Sequence, residues 1–155
     1  MPHFSTTRRV PHTATAMLEL VADVERYPEF LPYCQELEVL RRVDAPDGRH
    51  ILTARMTIGY KMIHESFTSR VTVDRARRRI LVEYIDGPFR HLENRWLFED
   101  SGEGGSKVDF SIDYSFRSRA FEILAGAVFD KLFRKMAESF EERADALERS
   151  RRAQA

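Results

Sequence analysis

The order of hydrophobic periods along the chain predicts an α+β fold: one curved antiparallel sheet of about six to seven strands covered by a long C-terminal helix. From Glu36 to Phe116 apolar residues recur at a period of two, in runs separated by clusters of turn formers. From Arg119 to Arg149 the period becomes helical. Consecutive strands joined by short turns make a meander, and its apolar face needs a cover that the terminal helix supplies.

Taken in order, Phe4 to Val10 reads as an edge strand before Pro11. Thr13 is placed to cap a helix bearing Met17, Leu18, Val21 and Ala22, which ends before Pro28. Arg26 to Cys34 holds two prolines among Tyr27, Phe30, Leu31 and Tyr33, and reads as a short helical turn or a packed loop. Leu37 and Val39 open the meander, up to the turn Asp44-Ala45-Pro46-Asp47-Gly48. Leu52, Ala54, Met56 and Ile58 share a face of the next strand, which Gly59 ends or bulges. Ile63, Phe67, Val71 and Val73 lead to a tip at Asp74 to Arg78, and Ile80, Val82 and Tyr84 return from it. After Gly87-Pro88, the strand up to Glu99 puts Leu92, Asn94, Trp96 and Phe98 on one face and His91, Glu93 and Arg95 on the other. The segment Asp100 to Ser106 is a hairpin loop, and Val108, Phe110, Ile112, Tyr114 and Phe116 alternate beyond it. In the last element Phe121, Leu124, Val128, Leu132, Met136, Phe140 and Leu147 form one side, joined by Phe129 and Phe133. That helix would run roughly 46 Å at 1.5 Å per residue. The reading is a single domain over residues 1–150, with 151–155 a frayed polar tail.

Composition narrows the function. The chain has 155 residues, 43% of them hydrophobic, enough for one core. Its 25 basic and 25 acidic side chains balance, so no global field draws in nucleic acid or an anionic membrane, and DNA is not an expected partner. Of the basic residues 21 are arginine and 4 lysine, which suggests a GC-rich bacterial genome. With Cys34 alone no intrachain disulfide is available, and Met1 to Val10 has no apolar run behind its basic residues. The expected compartment is the cytoplasm, with the inner-membrane surface as a peripheral station.

Sites for chemistry are scarce. The five histidines are scattered, without metal-ligand spacing, so no metal is expected. Cys34 reads as a small buried side chain, and the neighbours His64 and Glu65 face opposite sides of a strand, which rules out a dyad. Gly102-Glu103-Gly104-Gly105 lacks the following helix that an anion cradle requires. No catalytic residue is assigned. Arg75, Arg77, Arg78 and Arg79 form the basic cluster, read as a solvated turn or, alternatively, as a contact with phosphate on a lipid headgroup or ribosomal RNA. The rings Trp96, Phe98, Phe110, Tyr114, Phe116, Phe129 and Phe133 are core or the wall of a cavity. Asn94 interrupts its apolar face and needs a hydrogen-bond partner, structural or from a ligand.

Two segments, Val21-Ala-Asp-Val-Glu-Arg-Tyr-Pro-Glu-Phe-Leu-Pro-Tyr-Cys34 and Asp86-Gly-Pro-Phe-Arg-His-Leu-Glu-Asn-Arg-Trp-Leu-Phe98, resemble signatures of the coenzyme Q-binding family within the START-like superfamily. The resemblance spans roughly Phe4 to Leu147. It implies a helix-grip fold with a lipophilic tunnel between sheet and helix. In mitochondrial members it implies ubiquinone binding in support of respiration without catalysis; a bacterial branch is described as a toxin that hinders association of ribosomal subunits. The resulting expectation is a non-enzymatic carrier or chaperone for ubiquinone or a related isoprenoid quinone, with no cofactor in the catalytic sense. Trp96, Phe98, Phe110 and Tyr114 would line the sheet side, Phe129 and Phe133 the helix side, and Tyr27, Phe30 and Leu31 the mouth. Asn94 would donate to a quinone carbonyl. On this reading Trp96→Ala weakens ligand binding without unfolding the domain. The alternatives are a ribosome-binding regulator using the four arginines, and a polyketide cyclase or aromatase-like enzyme.

Overall fold

In a computed structural model, residues 3–154 are described, the side chain of Leu124 excepted. Seven strands form one antiparallel sheet: β1 (His3–Val10), β2 (Cys34–Asp44), β3 (His50–Tyr60), β4 (Ile63–Asp74), β5 (Arg79–Asp86), β6 (Phe89–Gly102) and β7 (Gly105–Phe116). Their order, β1-β7-β6-β5-β4-β3-β2, is an uninterrupted meander from β2 to β7 with β1 added beside β7. Between β1 and β2 lie α1 (Ala14–Ala22) and a 3₁₀ turn (Val24–Glu29); α2 (Arg119–Gln154) ends the chain. The expected helix-grip architecture is present.

The local chemistry explains the element ends. Thr13 Oγ1 accepts from the Ala16 N–H at 3.1 Å, and the Ala14 N–H donates to Asp100 Oδ1 at 2.9 Å, so α1 is capped from its own chain and from the β6–β7 hairpin. That hairpin is tighter than the Asp100 to Ser106 loop expected from sequence. Pairing continues to Gly102 opposite Gly105, and Glu103 and Gly104 both take positive φ, as a two-residue turn between twisted strands requires. At Gly59 a side chain would collide with Gln35, which lies across the strand there.

One face of the sheet is apolar. On β7, Val108, Phe110, Ile112, Tyr114 and Phe116 are all buried, alternating with half-buried polar residues. The stripe of α2 that meets this face is Ala125, Phe129, Leu132, Phe133, Ala137, Phe140 and Ala144. Leu147, expected on the stripe, is exposed, because at that end the buried ridge runs through Ala144 instead. Leu124, also expected there, falls outside what is described. The tail is corrected too: α2 continues through Gln154, its last turn supported by Glu148, which pairs with Arg151 and, at 3.1 Å, with Arg152. Ala155 is outside the described residues. With 36 residues α2 spans about 54 Å.

Polar locks hold the C-terminal half of α2 on both sides. Arg8 of β1 meets Glu141 at 2.8 Å, His12 meets Asp145 at 2.6 Å, and Arg143 meets Glu29 of the 3₁₀ turn at 2.9 Å. All of them lie in the C-terminal half of the helix. Among the described residues no ion pair joins α2 to β2, β3, β4 or β5.

Candidate functional site

The sheet curves away from α2 over its β3–β5 side, and there an apolar cavity of about 70 Å³ lies between them. Small and aliphatic side chains make the room: Ala54 and Ser69 are cross-strand neighbours, flanked by Met56, Val71, Ile80 and Val82. Leu132, Phe133 and Met136 close it from α2, and Val24, Tyr27 and Leu31 from the 3₁₀ turn and the loop after it. Leu92, Asn94, Trp96 and Ile112 line it from β6 and β7, and Leu37 of β2 and Phe67 of β4 complete the wall.

Of the residues expected from sequence, Trp96, Asn94, Phe133, Tyr27 and Leu31 meet in this cavity, whereas Phe98, Phe110, Tyr114, Phe129 and Phe30 do not line it. The reason is that rings pack preferentially on rings. Phe98 stacks parallel to Trp96 at 6.0 Å between centroids, and Phe110 and Phe140 meet the indole edge-on at 4.7 and 5.2 Å. Phe129 belongs to a second cluster with Phe89 and Phe116, at 5.4 and 5.2 Å, and Tyr114 bridges from Phe116 to Phe133. Phe30 packs on Phe140 at 5.2 Å with the Arg143 guanidinium over its ring. Sequence reasoning overlooked Ala54, Ser69, Met56 and Val82. Their alternation put them on the inner face, but only the sheet's curvature shows that small side chains there leave space.

The polar groups on the cavity wall are held by the protein. Asn94 Nδ2 donates to the Ser111 carbonyl at 2.9 Å, and Asn94 Oδ1 accepts from the Trp96 indole N–H at 2.9 Å. A structural partner, the first of the two readings, therefore occupies the amide, leaving one N–H for anything else. The Tyr27 hydroxyl donates to the Val21 carbonyl, and burial, followed by Cys34 and Asp23, pushes this phenol far above its ordinary range. Neither a carboxylate nor an imidazole is on the wall. Among the described residues no group of three or more His, Cys, Asp or Glu could hold a metal ion, and no helix is long and apolar enough to cross a membrane.

The basic cluster stands at the tip between β4 and β5. Arg75 forms a two-pronged pair with Glu19 of α1 at 2.5 and 3.1 Å, Arg77 meets Asp74 at 3.2 Å, and Arg78 meets Asp100 at 2.7 Å. Three of the four guanidiniums thus face carboxylates, which favours the solvated turn. Arg79 has no ion pair among the described residues.

A sheet gripping one long helix over an apolar cavity without acid or base groups on its wall defines a helix-grip, START-like ligand-binding protein. Comparison with known proteins refines this. The family described as polyketide cyclase / dehydrase and lipid transport matches residues 10–141, and the chain belongs to it. The chain is 33% identical to the ribosome association toxin RatA of Escherichia coli K12, over 93% of this chain and 87% of that protein. It is 25% identical to the mitochondrial coenzyme Q-binding protein coq10 of Schizosaccharomyces pombe, over 91% and 85%. The solution structure of the 18 kDa protein CC1736 from Caulobacter crescentus superimposes with a TM-score of 0.76 at 31% identity, covering 96% of this chain and 99% of that one.

Proposed function

We propose that this protein is a non-enzymatic carrier or chaperone for an isoprenoid quinone, ubiquinone or a close relative, held between the sheet and α2. The observation that carries this reading is the cavity wall, apolar throughout apart from Tyr27, Ser69 and Asn94. Such a wall recognises a lipophile by burial, at roughly 0.8 kcal/mol per methylene, and needs few polar contacts. The relative named for coenzyme Q supports the choice of quinone. A cyclase or aromatase needs acid and base groups converging on its substrate, and this wall supplies none beyond a hydrogen-bonded phenol.

At about 70 Å³ the cavity is roughly half the size of a 150 Å³ cavity that admits benzene. Loading therefore requires the wall to give way. Met56 and Met136 are half-buried, unbranched and able to swing aside, and among the described residues no ion pair joins α2 to β2, β3, β4 or β5. Organic extraction of the purified protein followed by mass spectrometry tests the reading. A stoichiometric quinone is the expected result, and lipophile-free protein that takes up no added quinone overturns it.

A ribosome-directed reading is favoured by one observation, the higher identity to proteins named ribosome association toxin. On that reading Arg75, Arg77 and Arg78 would exchange their carboxylate partners for RNA phosphates. Sedimentation with separated ribosomal subunits at graded salt tests it, since phosphate contacts give binding that falls steeply as salt rises.

A further inference from the structure

One exposed ridge of α2 runs Arg119, Ile123, Ala127, Lys131, Lys135 at intervals of four residues. It carries three cations and no carboxylate, and none of the three has an ion pair among the described residues. That sets it apart from most of the surface, where guanidiniums are matched with carboxylates, as Arg75 is with Glu19 and Arg70 with Glu83. Ile123 is 81% exposed, on a helix whose other large apolar residues are mostly turned inward.

A second exposed element abuts the ridge. The β3–β4 hairpin turns through Lys61 and Met62 between the paired residues Tyr60 and Ile63, with Lys61 at positive φ. Met62 is 87% exposed at its tip. Lys131 Nζ lies 5.9 Å from the Tyr60 ring centroid and Lys61 Nζ 5.3 Å, so the hairpin and the ridge meet at this ring. The carboxylates nearby are half-buried Glu65, exposed Glu122 and Glu138, and Asp130, which Arg134 already holds at 2.9 Å; the cations Lys61, Arg119, Lys131 and Lys135 have no ion pair among the described residues.

The geometry points to this face as a docking surface for an anionic lipid bilayer. Met62 and Ile123 enter the headgroup boundary while Lys61, Arg119, Lys131 and Lys135 meet lipid phosphates. Exposed apolar side chains ringed by unmatched cations suit a lipid interface, where both burial and charge contribute; an RNA backbone would use the charge and leave Met62 and Ile123 in water. The face lies beside the helix residues Leu132, Phe133 and Met136 that close the cavity, on the stretch of α2 before its ion pair with the 3₁₀ turn. A lipophile crossing that seam would pass between bilayer and cavity. This inference rests on the carrier reading for its purpose, though not for its test.

The test is co-sedimentation of the full chain with vesicles of phosphatidylcholine alone or mixed with phosphatidylglycerol. Wild-type protein is expected to partition onto the anionic vesicles and to be released by salt. Lys61→Gln and Lys131→Gln should each weaken partitioning about fivefold. Met62→Asp combined with Ile123→Asp should abolish it, and both positions are exposed enough for the fold to survive, as circular dichroism will verify. Arg149→Gln, near the far end of α2, should change nothing. Wild-type protein that ignores anionic vesicles, or variants that sediment like wild type, would overturn the docking face. So would protein that uses Lys61 and Lys131 to bind ribosomal subunits in place of vesicles. Extraction and mass spectrometry report on the cavity separately: vesicle binding by protein that never takes up a lipophile sinks the carrier reading and leaves the face standing.

Discussion

Filling the cavity separates its two possible roles, a ligand site or a packing defect. Ala54 is 3% exposed, sits on the wall between Val39 of β2 and Ser69 of β4, and points its methyl into the open volume. Ala54→Leu adds three carbons there. At about 24 cal/mol per Å³ of cavity, removing the whole of about 70 Å³ is worth up to about 1.7 kcal/mol. For a chain of 155 residues that raises the melting temperature by about 3–7 °C. The same leucine occupies the ground a quinone ring would enter, so ligand uptake should be lost while stability rises. Differential scanning calorimetry on lipophile-free protein reads the first effect, and extraction with mass spectrometry after incubation with quinone reads the second. A variant that melts lower than wild type by several degrees yet loads quinone normally would refute the reasoning, since the leucine would then be strained and the ligand elsewhere.

Other perturbations follow from neighbouring contacts. Trp96 is enclosed by Phe98, Phe110 and Phe140, so Trp96→Ala should cost about 3–5 kcal/mol in urea unfolding, in place of the purely functional effect expected from sequence. Two glycines should respond in opposite senses. Gly126 in α2 has nothing within 4 Å of an added Cβ, and Gly126→Ala should stabilise by about 1 kcal/mol; Gly87 has φ +143° and would set a Cβ 2.7 Å from that of Phe67, so Gly87→Ala should destabilise by at least about 1–3 kcal/mol. Burial pushes the Cys34 thiol up to about 12, so at pH 8 only about one in ten thousand is ionised, and a thiolate-seeking disulfide reagent should react only on unfolding. The Ala14 N–H and then the Arg78 guanidinium hold the Asp100 carboxyl below its ordinary value. Its contribution is therefore complete above the unfolded pKa of about 3.9 and disappears as pH falls through the lower folded value. Asp100→Asn should flatten the acid limb of urea midpoints measured from about pH 5 to about pH 2.

The strands were legible because an alternating period leaves little choice about which face is buried. Val108 to Phe116 shows this most plainly, and Thr13 with the helical spacing of Met17, Leu18 and Val21 announced α1. The cavity was less legible. Large rings such as Phe129 and Phe110 look like walls in a sequence, yet in three dimensions they fill one another's space, and the opening is left where Ala54 and Ser69 stand opposite each other across β3 and β4. The arginine cluster was ambiguous for a similar reason. Glu19, the partner of Arg75, is 56 residues away, and only the tertiary fold brings α1 to the β4–β5 tip.

The position of β1 has a consequence for how the chain comes to be folded at all. β2 to β7 are hairpin neighbours and can zip from local turns as each strand is made. β1 is the exception: His3 pairs with Asp113 and Val10 with Ser106, so this strand, made before the meander, has no partner until β7 exists. During synthesis it must wait unpaired through the making of the whole meander, an edge with nothing beside it. Its short length and its mostly polar sequence, His-Phe-Ser-Thr-Thr-Arg-Arg-Val, suit that interval, since such a strand is a poor template for a wrong partner. When β7 arrives, β1 joins the sheet and brings Arg8 to Glu141, so the strand that waited longest is also one that fastens α2.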